Sequence, residues 1–249
     1  MEKRLIIALL AVAATATQVK AQDDDFGIWG EVNVEKKIDA RWSVDAGVEF
    51  RSRDKVREAD RWSFGGDVNY KVTDWLKVSA GYSLLDDHRY KLNDKETKYA
   101  DYWGVRHRFN VSLTASQDFG DLSISLRERW QYTWRPEKTV ERYWLYTNEN
   151  KDRYQDEYAD DHTYNGKGKN VWRNRLQLKY KVNKMWRPYV NAESSVASGL
   201  EKIRYSAGTE IRLSKQHCID VKYLFQKMYD DSDEEGNRHI IGIGYTYKF

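Results

Sequence analysis

The chain has a single cysteine, Cys218, and two prolines in 249 residues. One cysteine closes no internal disulfide, and none follows a leader cleavage site to carry a lipid. Disulfide stapling and lipoprotein anchoring are therefore expected to be absent. Scarce proline beside ten tryptophans excludes a disordered chain, which would be proline-rich and poor in aromatics. Past residue 21 no stretch approaches the roughly 18 consecutive apolar residues of a membrane helix. If this chain crosses a membrane, it crosses as strands. An excess of one charge is missing too. Setting aside Lys3, Arg4 and Lys20 from 42 basic residues, and Glu2 from 39 acidic ones, leaves 39 against 38. That balance implies no nucleic-acid partner.

What is present begins with a targeting pattern: Lys3 and Arg4, an apolar run over 5–14, and small residues up to Val19-Lys20-Ala21. This reads as a secretory signal cleaved after Ala21, leaving 22–249 as one domain. The segment 241–249, "IGIGYTYKF", then shows the dominant code. Ile241, Ile243, Tyr245, Tyr247 and Phe249 share one face, and Gly242, Gly244, Thr246 and Lys248 share the other. A period of two is a strand with one oily face. The code recurs over 41–51, 61–72, 76–84, 106–115, 122–134, 171–182, 186–194, 203–213 and 217–225, with a less regular candidate at 26–38. Most of these have about the nine to eleven residues that a tilted strand needs to span a bilayer.

Connections alternate in length. Those at 39–40, 73–75, 116–121, 183–185 and 214–216 are short, while 52–60, 85–105, 135–170, 195–202 and 227–237 are long and polar. Trp42, Trp75 and Trp186 sit beside short turns, and Trp62, Trp130, Trp134 and Trp172 near long ones. Short turns on one side, long loops on the other and an aromatic girdle at each describe an outer-membrane barrel. A soluble barrel or sandwich would turn the same alternation inside out, but it has no reason for regularly alternating loops and paired girdles.

The segments "FGIWGEVNVEKKI", "RHRF", "WRNRLQLKYKV", "RPYVNAE", "LSKQHCIDVKYLFQ" and "IGIGYTYKF" resemble a family of small Gram-negative outer-membrane proteins catalogued as a domain of unknown function, DUF 2490. The resemblance implies a barrel in the cell outer membrane, in contact with lipid and lipopolysaccharide, and brings no chemistry. The last strand, with Tyr245, Tyr247 and Phe249, looks like the C-terminal signal read by the barrel-assembly machinery. The expected fold is all-β: a transmembrane antiparallel barrel of ten to twelve strands with short periplasmic turns and long external loops. Counting 26–38 gives eleven strands, where single-chain bacterial barrels usually have an even number. Either 26–38 is not a full strand, or one more lies hidden, for instance within 135–170.

The polar faces carry twenty basic residues against eight acids, Glu31, Glu35, Asp45, Glu49, Asp67, Glu193, Glu210 and Asp220. Alternate pairs Arg106/Arg108, Arg127/Arg129 and Arg173/Arg175 project from single strands into one interior, joined by Arg61, Arg204, Arg212 and Arg238. In a wet lumen this favours small anions; in a dry one, pairing with Glu193, Glu210 and the other acids makes a plug. Glu128 stands apart, a carboxylate on the apolar face of 122–134, where it is costly unless it reaches the interface or sits at a bulge.

Other chemistry is weaker. "DDSDEE" at 230–235 imitates the start of a calcium loop, but the twelfth position is Gly242 and a strand follows, so a solvated loop is expected. His107, His217 and His239 lack metal-ligand spacing, and neither metal nor cofactor is expected. His162 and Asn165 have no serine nearby to activate. The chain reads as a non-enzymatic barrel, most simply a small anion-preferring channel. The alternatives are a plugged barrel binding a partner or glycan through 135–170, where Tyr143, Trp144, Tyr154 and Tyr158 interleave with charge, and an acyl hydrolase or transferase.

Overall fold

The computed structural model describes residues 24–145, 155–229 and 236–249. The leader at 1–21, Tyr154 and the acidic run at 230–235 lie outside the described residues. Thirteen strands follow in order: β1 (Asp25–Lys37), β2 (Trp42–Arg53), β3 (Glu58–Lys71), β4 (Leu76–Leu92), β5 (Lys98–Phe119), β6 (Leu122–Arg135), β7 (Lys138–Trp144), β8 (Tyr158–Tyr164), β9 (Lys167–Tyr180), β10 (Trp186–Val196), β11 (Leu200–Arg212), β12 (His217–Met228) and β13 (Arg238–Lys248). Each neighbour pairs in turn from β1 to β6, then β6 with β9, and onward to β13. β13 pairs back with β1, closing a barrel of eleven strands.

Ten of the eleven seams are antiparallel, and the β1–β13 seam is parallel, in register from Asp25 opposite Arg238 to Glu35 opposite Lys248. Parity requires this. Consecutive strands alternate in direction, so the first and last of an odd set run the same way. The segment 26–38 is thus a full strand, and the chain needs no twelfth. A parallel pair is slightly weaker per residue, and ion pairs pin both ends of the seam: Arg238 to Asp25 at 3.1 Å and Lys248 to Glu35 at 2.7 Å.

The hidden strands within 135–170 are β7 and β8, but they form a hairpin outside the barrel wall, joined to the projecting start of β5 through Lys98–Trp144 and Tyr99–Tyr143. The expected long loops also shrink. β4 runs on to Leu92 and β5 begins at Lys98, so a ladder in continuous register occupies most of what reads as a 21-residue loop. Beyond the apolar band the outward face has no reason to be oily, and the alternation that marks a strand fades.

Four short turns repeat one device: a side-chain oxygen accepts backbone N–H groups at the start of the next strand. Asp39 accepts from Arg41 and Trp42, Thr73 from Leu76, Asn183 from Met185 and Trp186, and Ser214 from Gln216 and His217. These are Asx- and ST-type turns. The fifth, at 120–121, uses Gly120 with φ of +64°, a conformation that suits glycine. The wall between the rims carries its apolar residues outward: Val32, Phe64, Leu113, Leu176 and Ile243 are all about half exposed or more. The polar face turns inward, with Gln226, Ser112, Asp87 and Glu193 almost fully buried. An apolar outside around a polar inside is the reverse of a soluble barrel.

Candidate functional site

The lumen divides into two chambers. The upper one, at the long-loop rim, has a volume of about 720 Å³ and is lined by twelve basic residues and one carboxylate, Glu201. The lower one, about 580 Å³, is lined by nine basic residues and seven acids. Four side chains of opposite walls line both: Arg51 on β2, Arg108 on β5, Arg173 on β9 and Arg204 on β11. The boundary between the chambers is a ring of arginine.

The ring is held unevenly. Trp29, on β1, faces inward and packs with Leu224 and Ile240 as a small apolar cluster inside an otherwise polar lumen. The Arg51 guanidinium lies 3.9 Å from its ring centroid and that of Arg204 lies 5.1 Å away, a stacking that fixes both without cancelling their charge. Arg51 also donates to Glu49 at 2.8 Å, and Arg204 to Gln226 at 2.8 Å. Arg173 clasps Glu193. Arg108 has no carboxylate within 4 Å among the described residues, and its Nε donates to the Thr133 hydroxyl at 3.3 Å.

Below the ring Glu193 is the organising acid. It receives Arg173, Arg127 at 2.5 Å and Arg204 at 3.9 Å. Arg129 donates to Ser112 at 2.8 Å, and Arg175, which lines the lower chamber, has no carboxylate within 4 Å among the described residues. At the lower rim Glu210 pairs with Lys179 at 2.7 Å and Arg212 at 2.5 Å. Above the ring, Arg61 and Arg106 both clasp Asp87. Arg238 sits at the upper end of the seam, bonded to Asp25 and Asp60. Ten of the twelve lumen residues expected from the sequence line one chamber or the other, while Arg212 and Arg238 occupy the rims.

Sequence reasoning missed Asp87, Glu201, Arg89, Lys91, Lys169 and the inward Trp29. Asp87 and Lys91 lie where β4 continues past the band. Leu85 points inward at 1% exposure, so the apolar code is broken there. Trp29 falls where the code is irregular at the start of β1.

Glu128 faces outward. The ladder of β6 is continuous with β5 and with β9, without a bulge. One row across the wall runs Trp42, Tyr70, Val78, Leu113, Glu128, Asn174, Ser194, Ile203, Lys227. It climbs from the short-turn rim to the long-loop rim, and Glu128 stands midway. Neither escape expected from the sequence, a place at the interface or a turn inward, is available to it. The histidines meet tyrosine hydroxyls: His107 with Tyr82 at 2.8 Å, His217 with Tyr245 at 2.7 Å and His239 with Tyr223 at 2.5 Å. Tyr247 stacks on Phe249 at 5.4 Å. His162 packs edge-on to Tyr164 at 4.6 Å.

Above the barrel, the β7–β8 hairpin is tied down by Asp160, which takes a two-point contact from Arg142 at 2.8 Å and a third from Lys98 at 2.9 Å. Hydrogen bonds from Arg142 first and Lys98 next hold the Asp160 carboxyl down to about 2. Tyr90, Tyr99 and Tyr143 stack in series along this projection.

A family model matches residues 26–237. The chain belongs to the DUF2490 family. Its members are described as proteins of unknown function, so membership names no activity. No curated protein matches the chain. Among solved structures, the β-domain of the Bordetella autotransporter Brka is similar at 13% identity and a TM-score of 0.52, covering 84% of this chain and 82% of that one. The translocator domain of the autotransporter NalP from Neisseria meningitidis gives 8% identity and 0.49, over 76% and 71%. The NanC porin gives 12% and 0.46, over 86% and 89%. At such identities the likeness concerns fold alone: this DUF2490 chain is built as outer-membrane barrels are.

Proposed function

We propose that the protein resides in the outer membrane, reached by way of the leader at 1–21 and the barrel-assembly machinery, and acts there as a small anion-preferring passage rather than as an enzyme. The observation that carries this reading is the arginine ring. Arg51, Arg108, Arg173 and Arg204 are the side chains shared by two chambers, so a solute moving between the rims passes all four. Rings of arginine select negative solutes, and the twelve-to-one lining of the upper chamber concentrates anions before they arrive. Uncompensated Arg108 is the strongest element of the ring. Outer-membrane lipid and lipopolysaccharide would surround the apolar band.

The test is the reversal potential of the refolded protein in a planar bilayer under a salt gradient. Anion-selective steps that lose selectivity in Arg108→Ala support the reading, and cation selectivity overturns it. A second reading rests on the tyrosine stack of the β7–β8 projection, which offers a platform for a glycan or partner protein. Deleting 138–164 would then abolish that binding while the barrel still folds. An acyl hydrolase reading finds no support among the described residues around His162, whose ring packs on Tyr164.

A further inference from the structure

The outward wall between the rims carries charge at one place among the described residues. Glu128 stands midway along its row with Trp130 above and Leu126 below it on β6 and Leu113 beside it on β5. Its carboxylate has no hydrogen bond or ion pair among the described residues. Directly across on β9 is Asn174, and next in the row is Ser194. Three outward polar groups, Glu128, Asn174 and Ser194, thus stand side by side on three adjacent strands. Asn174 Nδ2 reaches Ser194 Oγ at a long 3.4 Å, which leaves its second N–H and its carbonyl oxygen free to bond outward.

We propose that this face is the interface of a homodimer in the membrane, in which Glu128 of each copy meets Asn174 of the other. The inference goes beyond the anion-passage reading and rests on its placement of the wall in lipid. A carboxyl in hydrocarbon requires a donor, and lipid tails supply none. Two copies that share one orientation in a membrane are related by a two-fold axis along the membrane normal. With that axis in front of the gap between β6 and β9, Glu128 of one copy faces Asn174 of its partner, and the reverse contact follows by symmetry. Carboxyl and carboxamide are complementary, the amide N–H donating to a carboxyl oxygen. Leu126 and Leu176 come together on one side of this contact, and Trp130 and Trp172, the latter 53% exposed, on the other. A second copy is therefore the occupant that satisfies the row, because the face carries both halves of the pair.

The experiment is single-molecule photobleaching of dye-labelled full-length barrel in lipid vesicles at graded dilution. Wild type is expected to bleach in two steps, and Glu128→Leu and Asn174→Leu in one, with dimer dissociation raised at least tenfold. Glu128→Gln, whose amide still bonds to an amide, should retain two steps. Folding is followed separately by heat-modifiable migration, which Glu128→Leu should not impair, because removing an outward charge relieves the isolated barrel. A wild-type protein that inserts yet bleaches in one step at every dilution overturns the dimer and leaves the passage reading intact. So does a Glu128→Leu variant that dimerises as wild type does. Failure of wild type to insert at all defeats the membrane reading and the dimer together.

Discussion

The two chambers of the lumen are built from the same strands and the same residue types, yet they solve opposite problems. In the lower chamber acids nearly match bases, and carboxylates such as Glu193 and Glu210 each gather several cations. In the upper chamber one acid faces twelve bases, while Asp87 lies buried behind Arg61 and Arg106. A matched network holds a structure together, and an unmatched one holds a potential. The lower half supports the barrel from within, and on the proposed reading the upper half attracts the anions that would pass.

The sharpest way to break the comparison is at its structural end. Glu193→Gln leaves Arg127, Arg173 and Arg204 facing one another around a buried site, and removing one partner of such a pair typically costs roughly 3 kcal/mol or more. A lowered urea midpoint for unfolding from vesicles checks this, and an unchanged midpoint would mean that water in the lumen screens the cluster. Second, Arg108→Ala removes a side chain with one hydroxyl partner, so stability should move by less than about 1 kcal/mol while the anion-to-cation permeability ratio falls several-fold. Should both variants behave alike in both assays, the division of labour between the halves is refuted. Third, Glu201→Gln leaves the upper chamber without a lining carboxylate and frees Lys169 from its 2.5 Å pair. Anion selectivity should rise modestly, an outcome opposite in sign to that of Arg108→Ala.

The smallest effect lies outside the barrel, on the projecting hairpin. Asp160 is depressed in the folded protein by Arg142 and Lys98. A lowered carboxyl contributes stability that is present above its ordinary range and lost as pH falls through the folded value. The β7–β8 hairpin should therefore resist proteolysis from neutral pH down to near 4 and loosen progressively towards about 2. Asp160→Asn should loosen it at neutral pH without affecting the barrel. Protection unchanged across that window would show that the ladder, and not the ion pair, secures the hairpin.

The wall was legible from the residues because it follows a local rule: most outward positions between the rims are apolar, Glu128, Asn174 and Ser194 being departures, and alternation records the pattern. The turns were legible for a similar reason, since Asp39, Thr73, Asn183 and Ser214 each stand just before a strand and cap its first N–H groups. Where the rule lapses, so does the signal. β4 beyond Leu84 puts Leu85 inward and Asp86 outward, and the ladder with β5 is sustained by backbone pairing that no side chain reports. Trp29 was invisible as a lumen residue because an inward aromatic contradicts the code. Closure lay furthest from view. Asp25 meets Arg238 across the length of the chain, and nothing near either residue announces the other.

The parallel seam fixes more than a strand count. In an even barrel both ends of the chain emerge at one rim, and a short peptide could join them, so that the sequence could be cut anew at any turn. Here Asp25 stands at the rim of the long loops and Phe249 at the rim of the short turns. A covalent link between them would have to run the full height of the apolar band, about 25 Å, either through the arginine ring or along the apolar outer face. The fold is thus a ring in its hydrogen bonds and a one-way path in its covalent chain, and it resists circular permutation at every turn it contains.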